Sequence, residues 1–390
     1  MNSLEKFALN CGLKINAPEI VDEYTPNVFD KYILIDSSSE NSNDIYSHYE
    51  EVVYILRKCL KGADIKILNN YGSPEEEVKN SEISFSLSGR QLNYMAKNSL
   101  LVITNDNLSL QISGNLNKKI VALFGSRYAQ NGKAFFGDES NQINLEPNTE
   151  LKPFFDAVEE SESKRIDCIH PENVAKAACE LLNIDFIHSY QTINIGRNYK
   201  NKSGGVECVP DQVVQPPENN PEGLIYRMDL LFNEENLARQ LSVGKCVPMT
   251  NKRINMDLLA TFKENIPYLI YKIEKDDDPS FVEEVTAMGI KVALITKLTE
   301  EEINSKKLDY IDVGLIKVFS KDQDFINKYN KEEVYYKSTR GLLSNGKIFA
   351  SENAWINGRS IKHRLEPTLC DNIEDISYDL DAYNVSKKVD

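Results

Sequence analysis

Small polar and acidic residues stand where three apolar runs end. Asp36, Ser37 and Ser38 close the run Tyr32 to Asp36; Asn105, Asp106 and Asn107 follow Leu100 to Thr104; Gly125, Ser126 and Arg127 follow Ile120 to Phe124. In a parallel α/β sheet, ligands bind outside the carboxyl ends of the strands, where helix N-termini turn backbone N–H groups and positive dipole ends towards anions. An opening there that is rich in amides and small side chains suits a diphosphate. Asp106 is equally suited to cap the following helix. Two further carboxylates, Asp229 in Tyr226–Leu231 and Asp211 in the loop Glu207–Gln212, are of the type that can take a proton from a hydroxyl. Asp229 shares a strand face with Arg227, so an ordinary ion pair is its alternative role.

Other candidates have plainer readings beside the chemical one. Lys275, Asp276, Asp277 and Asp278 end a strand-like run and suit either a divalent cation or a solvated turn. Lys252 and Arg253 suit a phosphate or a covering surface role. Tyr335, Tyr336, Arg340 and the single Trp355 suit stacking on a sugar, or packing against the body of the protein. His48 falls on the polar side of a helix. The chain has no GxSxG, no P-loop and no GxGxxG, so hydrolase, NTPase and ordinary dinucleotide readings lack a local motif. Its seven cysteines never form a CxxC and its four histidines show no zinc spacing, so neither a disulfide framework nor structural zinc is expected.

The elements that must position these residues alternate regularly. Strands are expected at Tyr32–Asp36, Ile65–Leu68, Ile83–Leu87, Leu100–Thr104 and Ile120–Phe124. Helices are expected over His48–Leu60, in the EEEVKNS stretch, from Ser88 past Ala96, from Asn107 to Leu116, and from Pro171 to Leu182. Short continuous apolar strands separated by helices predict a doubly wound parallel sheet. A Gly- and Pro-rich stretch interrupts the rhythm over 189–222, and the alternation then restarts. Strands are expected at Leu224–Leu231, Cys246–Met249, Tyr268–Ile273, Ile290–Thr296 and Tyr310–Ile316, with helices between them. Val334 to Ser351 reads as a hairpin around Asn345-Gly346, and the acidic tail after Glu366 as an extended arm. The expected domains are 1–188, a linker 189–222, a second Rossmann-like domain 223–330, and a hairpin with tail 331–390. A partial βα barrel over 223–330 is the alternative, recognisable by a closed ring of strands.

Composition narrows the partners. With 45 Lys plus Arg against 60 Asp plus Glu, the formal charge is -15, a field that repels nucleic acid and anionic lipid. The charged fraction of 27% and mean hydropathy of -0.42 fit a globular chain. No apolar run reaches the ~18 residues of a membrane span. The start, Met-Asn-Ser-Leu-Glu-Lys, lacks the features of a signal peptide, so a cytoplasmic protein is expected.

The run SFSLSGRQLNYMAKNSLLVITNDNLSLQISGNLNKKIVALFGS, Ser84 to Ser126, resembles the nucleotide-sugar-binding domain of the heptosyltransferases, ADP-heptose:lipopolysaccharide enzymes with the GT-B fold. Asp106 matches that family's Asp after the strand, and Phe124-Gly125 its strand end. YILIDSSS, CIHPENVAKAACELL and the opening ALNCGLKINAPEI extend the resemblance over about residues 5–185. Where the family has Thr and Gly after the Asp, this chain has Asn107 and Leu108; where it has His, Gln111; and Asp44 or Asn43 stands near its basic residue. The positive charge that would stabilise a departing nucleoside diphosphate is thus absent from those positions.

The resemblance implies two Rossmann-like domains in GT-B fashion, in exchanged order, with a nucleotide-sugar donor at Ser37, Ser38, Asn105, Asp106, Asn107, Gln111, Gly125 and Ser126. It implies Asp229 as the base, no required metal or cofactor, and a glycan, lipid-linked sugar or protein as acceptor. The other reading is a scaffold that kept the fold without the chemistry, as a sugar- or nucleotide-binding or assembly module.

Overall fold

A computed structural model describes residues 3–12, 14–16, 19–26, 29–148, 164–199, 206–215 and 224–389. The chain divides into two compact units, Met1–Gln191 with Val389–Asp390, and Thr192–Lys388. Parts of the expected linker, 200–205 and 216–222, lie outside the described residues.

In the first unit the elements run α1 (Ser3–Cys11), β1 (Tyr32–Asp36), α2 (Tyr49–Cys59), β2 (Lys66–Asn70), β3 (Ile83–Phe85), α3 (Gly89–Asn98), β4 (Leu101–Asn105), α4 (Leu108–Asn115), β5 (Ile120–Leu123), α5 (Ala129–Gly132), β6 (Gln142–Leu145) and α6 (Pro171–Leu182). The strands form one all-parallel sheet in the order β3-β2-β1-β4-β5-β6. Alternate residues of each strand serve opposite faces. Ile33 and Ile35 pack with α2 and α6, whereas Tyr32 and Leu34 pack with α3. Both faces are therefore covered, which is why these strands read as unbroken apolar runs. The order reverses between β1 and β4, the point at which open α/β sheets have their ligand crevice, outside the carboxyl ends of the strands.

Local chemistry sets several boundaries. Ser88 caps α3, accepting from Gln91 N while the Gln91 side chain returns a bond to Ser88 N. The helix expected in EEEVKNS is only a short 3-10 turn, Pro74–Glu76, because Glu76 turns back to accept from Gly72 N and Ser73 N. β6 carries no apolar run and had no sequence signal.

The second unit contributes β7 (Tyr190–Ile195), β8 (Glu207–Cys208), β9 (Leu224–Arg227), α7 (Glu234–Val243), β10 (Cys246–Thr250), α8 (Met256–Thr261), β11 (Leu269–Ile273), α9 (Ser280–Ala287), β12 (Val292–Thr296), α10 (Glu300–Asn304), β13 (Ile316–Val318) and α11 (Gln323–Tyr329). It ends with β14 (Val334–Lys337), β15 (Leu342–Ser344), β16 (Lys347–Phe349), α12 (Glu352–Ile356), β17 (Ser360–Ile361), β18 (Thr368–Leu369), α13 (Ile373–Ile376) and β19 (Asn384–Lys388). One sheet has the order β13-β12-β11-β10-β9-β8-β15-β16-β17, and another β18-β14-β19-β7.

The expected α/β architecture holds, with an all-parallel sheet in the first half; the large sheet of the second is mixed, parallel from β13 to β15 and antiparallel from β15 to β17, and differs in its winding. From β8 to β13 the parallel strands advance in one direction without reversal. Right-handed crossovers then put the connecting helices on one face, and α7, α8 and α9 share a single core with Leu224, Tyr226, Leu269 and Tyr271. The sheet is open, with β13 and β17 at its edges, so the closed-ring alternative does not hold.

Three expectations here are corrected. The strand placed at Tyr310–Ile316 lies at Ile316–Val318, because Tyr310 is buried in hydrogen-bonded turns that end at Gly314 with φ +149°. The expected hairpin shrinks to β15 and β16 around Asn345-Gly346, both at positive φ, while β14 joins the other sheet. The acidic tail is no free arm: Val385 and Ser386 of β19 are buried against β14. Among the described residues no helix is long and apolar enough to cross a membrane.

Candidate functional site

The crevice of the first unit gathers most of the expected residues. Ser37, Ser38, Asn105, Asp106, Asn107, Gly125 and Ser126 all stand at the carboxyl ends of β1, β4 and β5, and Gln111 lies one turn into α4. The fold brings them together as anticipated, but their polar atoms are largely committed to one another.

Asp36 is the hub. Its Oδ1 accepts from Ser38 N at 3.2 Å, Ser38 Oγ at 2.7 Å and Asn70 Nδ2 at 2.8 Å. Its Oδ2 accepts from Asn107 Nδ2 at 3.1 Å and from Ser109 Oγ. Burial raises its carboxyl above the usual range, with the Ser109, Ser38 and Asn70 bonds opposing. Asn107 also donates to Ser38 O at 2.8 Å, while its Oδ1 accepts from Thr104 Oγ1 at 2.7 Å. It therefore does not cap α4, and the helix opens at the reversal point with no bond from its own N-cap side chain.

The remaining positions are similarly tied. Ser37 points inward, donating to Asn70 O and Glu76 O. Asn105 accepts from Tyr49 OH at 2.7 Å and donates to Ser37 O. Gln111 holds the segment after α5, donating to Gly132 O at 3.1 Å and accepting from Phe135 N at 3.3 Å. Gly125 is buried, and a Cβ there would come within 2.7 Å of Ile166 Cβ and 2.9 Å of Asn43 O, so the loop after β5 needs its glycine.

Asp44 holds Ser126 through its N at 2.8 Å and its Oγ at 2.5 Å. The Asp44 carboxylate is thus structural. Two arginines stand nearby, Arg127 paired with Asp106 and Arg165 with Glu146 at 3.8 Å. Arg127 bonds Asp106 through Nε with its side chain 39% exposed at the rim, and Arg165 donates to Gly125 O at 2.9 Å. Burial raises Asp106, the Arg127 charge opposes this, and Asp44 adds to it.

Sequence reasoning placed Arg127 at the strand end but gave it no role, and it missed Asn70, Ser109 and Arg165. Two consecutive asparagines ending an apolar strand, Asn69-Asn70, were the available signal.

Asp229 belongs to the second unit and forms the ion pair. Arg227 reaches its two oxygens at 2.8 and 2.9 Å, and its side chain has no exposed surface. Arg227 also meets Glu207 at 2.6 Å and Glu352 at 3.3 Å. Burial works against the arginine's charge, and Glu207 and Asp229 outweigh it. Asp211 is structural too, accepting from Ser344 Oγ and Asn345 N beneath the hairpin turn.

A surface hollow of about 360 Å³, lined by Arg57, Gly62, Asp64, Lys66 and Glu82, lies at the amino ends of β2 and β3, away from the crevice. Its charges pair as Arg57–Glu82 and Lys66–Asp64. Among the described residues no three His, Cys, Asp or Glu side chains are grouped to hold a metal.

No family model matches the chain, and no curated protein matches it. Solved structures similar to parts of it include glycosyltransferases. One is a family 9 glycosyl transferase from Veillonella parvula, 19% identical over 46% of this chain and 50% of that one, with a TM-score of 0.30. Another is the E. coli ADP-heptose lps heptosyltransferase II, 14% identical over 46% and 50%, with a TM-score of 0.31. A third is an E. coli heptosyltransferase with ADP, 16% identical over 36% and 47%, with a TM-score of 0.27. The chain spans about half the length of each.

Proposed function

We propose that this chain is a glycosyltransferase-like binding module whose first unit holds the diphosphate of a nucleotide sugar at the mouth of the crevice without transferring the sugar. One observation carries the reading: α4 opens uncapped where the strand order reverses, with Arg127 half-exposed on the neighbouring loop. An uncapped helix start offers N–H groups and a positive dipole end, and an arginine adds a charged donor.

The same geometry speaks against transfer. Asp36, Asp44 and Asp106 around the crevice are all engaged, and Asp229 is covered by Arg227. Asp36 beneath the first turn of α4 opposes a dianion, so binding is expected to be weak, with a Kd on the order of 0.1 to 1 mM. The test is thermal shift of the full chain against a panel of nucleoside diphosphates and nucleotide sugars, followed by an assay of donor hydrolysis and transfer. A shift without turnover supports the module, turnover restores the transferase reading, and neither leaves a structural role.

A further inference from the structure

His48, which the helical spacing puts on the polar side of a helix, is instead 3% exposed at the start of α2, beside Glu51 at 1%. Its Nε2 meets Asp167 O at 3.2 Å, and its Nδ1 faces Glu51 Oε2 at 3.8 Å. A carbonyl oxygen only accepts, so Nε2 donates. A second proton must then lie between Nδ1 and the Glu51 carboxyl, because a lone pair facing a buried carboxylate is repulsive. Burial and the positive end of α2 oppose a charged imidazole, so the proton belongs to the pair and not to the ring alone.

The surroundings favour keeping it. Tyr46 meets the imidazole edge-on with ring centroids 5.3 Å apart, and its hydroxyl is pushed above its ordinary range by burial and then by Glu51, Asp167 and Glu172. Carboxyls from α2, from the 3-10 turn Arg165–Cys168 and from α6 thus act on the same place. The other ionisable groups on these elements are engaged elsewhere or neutral: Tyr49 donates to Asn105 Oδ1, Asp44 holds Ser126, Arg165 is directed to Gly125 O and Glu146, and burial raises the Cys168 thiol.

The pair sits where two segments are joined. Asp167 also accepts from Ser47 N at 2.8 Å and Ser47 Oγ at 2.9 Å, so the start of α2 grips the turn at three points. Arg165 of the same turn donates to Gly125 O at 2.9 Å, and Ile166 lies so near that a Cβ on Gly125 would fall 2.7 Å from its own. A shift of the turn is therefore passed to the loop after β5, which carries Ser126 and Arg127.

We propose that His48 and Glu51 form a pH-sensitive pin: with their shared proton in place the turn Arg165–Cys168 and the loop 125–127 are held together, and loss of that proton as pH rises loosens both. The folded pair keeps a proton that an unfolded imidazole gives up near pH 6.5. Its contribution is thus fully present below about 6.5 and is lost as pH rises through the titration of the pair.

Hydrogen exchange of the full chain, corrected for the intrinsic rate, tests this without any nucleotide and so independently of the diphosphate reading. Peptides covering 164–169 and 124–127 should lose protection at least about tenfold between about pH 6 and pH 8.5, while α3 changes by under about twofold. Glu51→Gln supplies an amide N–H to an unprotonated Nδ1 and should flatten the change to under about twofold. His48→Gln, which cannot titrate, should do the same and serves if the first variant fails to fold. Equal protection of these segments at the two pH values in the wild-type protein, a loss that α3 shares, or a loss that persists in either folded variant overturns the proposal.

Discussion

Asp36 has hydrogen-bond donors on both oxygens and almost no contact with water, so its removal strands the side chains gathered on it. Each unsatisfied buried donor costs roughly 1 to 3 kcal/mol. Asp36→Ala is therefore expected to lower the unfolding free energy by about 3 kcal/mol, read from denaturant titration; a change under about 0.5 kcal/mol would contradict the hub. Its pH dependence has a definite sign. Burial raises the folded carboxyl above 3.8, so the folded state holds this proton more tightly than the unfolded state does. The Asp36 contribution is then most favourable below the unfolded value, and is lost as pH rises through the folded one. Measured against Asp36→Asn, the wild-type protein should lose stability on going from about pH 4 upward, and a gain over that range would show that the five donors outweigh burial.

How much of the site was legible follows from these residues. Asp36, Asn105, Asp106 and Gly125 could be placed because each ends an apolar run, a signal within a few positions. That Asp44 locks Ser126, 82 positions away, or that Asn107 spends its amide on β1, 71 positions away, has no local trace. Sequence thus located the crevice but not its occupancy by its own side chains. Asp229 was the same problem in miniature, since both of its readings were open until Arg227 was seen on both oxygens.

At the level of elements, the fold rests on a few close approaches and one buried charge cluster. Gly137, at φ +96°, lies against the carbonyl of Gly114 in α4, where a Cβ has no room. Gly137→Ala should therefore combine backbone strain with displacement of α4, costing at least about 2 kcal/mol and weakening nucleotide binding along with stability. Arg227 holds Asp229 and Glu207 in the second unit, and removing one partner of a buried pair leaves an uncompensated charge. Arg227→Met is expected to cost about 3 to 5 kcal/mol, with Arg227→Lys recovering only part, because a lysine cannot reach both Asp229 oxygens at once. Equal stability of Arg227→Met and wild type would contradict this. Strands β1 to β5 of the first unit were legible because a sheet covered on both faces demands unbroken apolar runs, whereas β6, at its edge, carries none. The winding of the second was not: strand order is decided by crossover direction, which no single strand encodes.

For the molecule as a whole, the charge of -15 sets the long-range field, and cationic groups such as Arg127 act only at short range within it. Duplex DNA should not be retained at about 0.1 M salt in a gel-shift assay, and retention there would expose a basic surface that the field argument omits. Both units keep a run of parallel strands with polar residues at its carboxyl edge, yet in the first these residues surround a helix start and in the second they surround a buried arginine. That difference is why the proposed ligand is placed at the first unit.

The most direct measurement is calorimetric titration of ADP, UDP and GDP into the full chain and its Arg127→Ala variant. The account predicts saturable binding of at least one of them, weakened roughly tenfold by the loss of Arg127, with no sugar released when the matching nucleotide sugar is supplied. Absence of any binding heat up to about 10 mM, or affinity unchanged in Arg127→Ala, would contradict it.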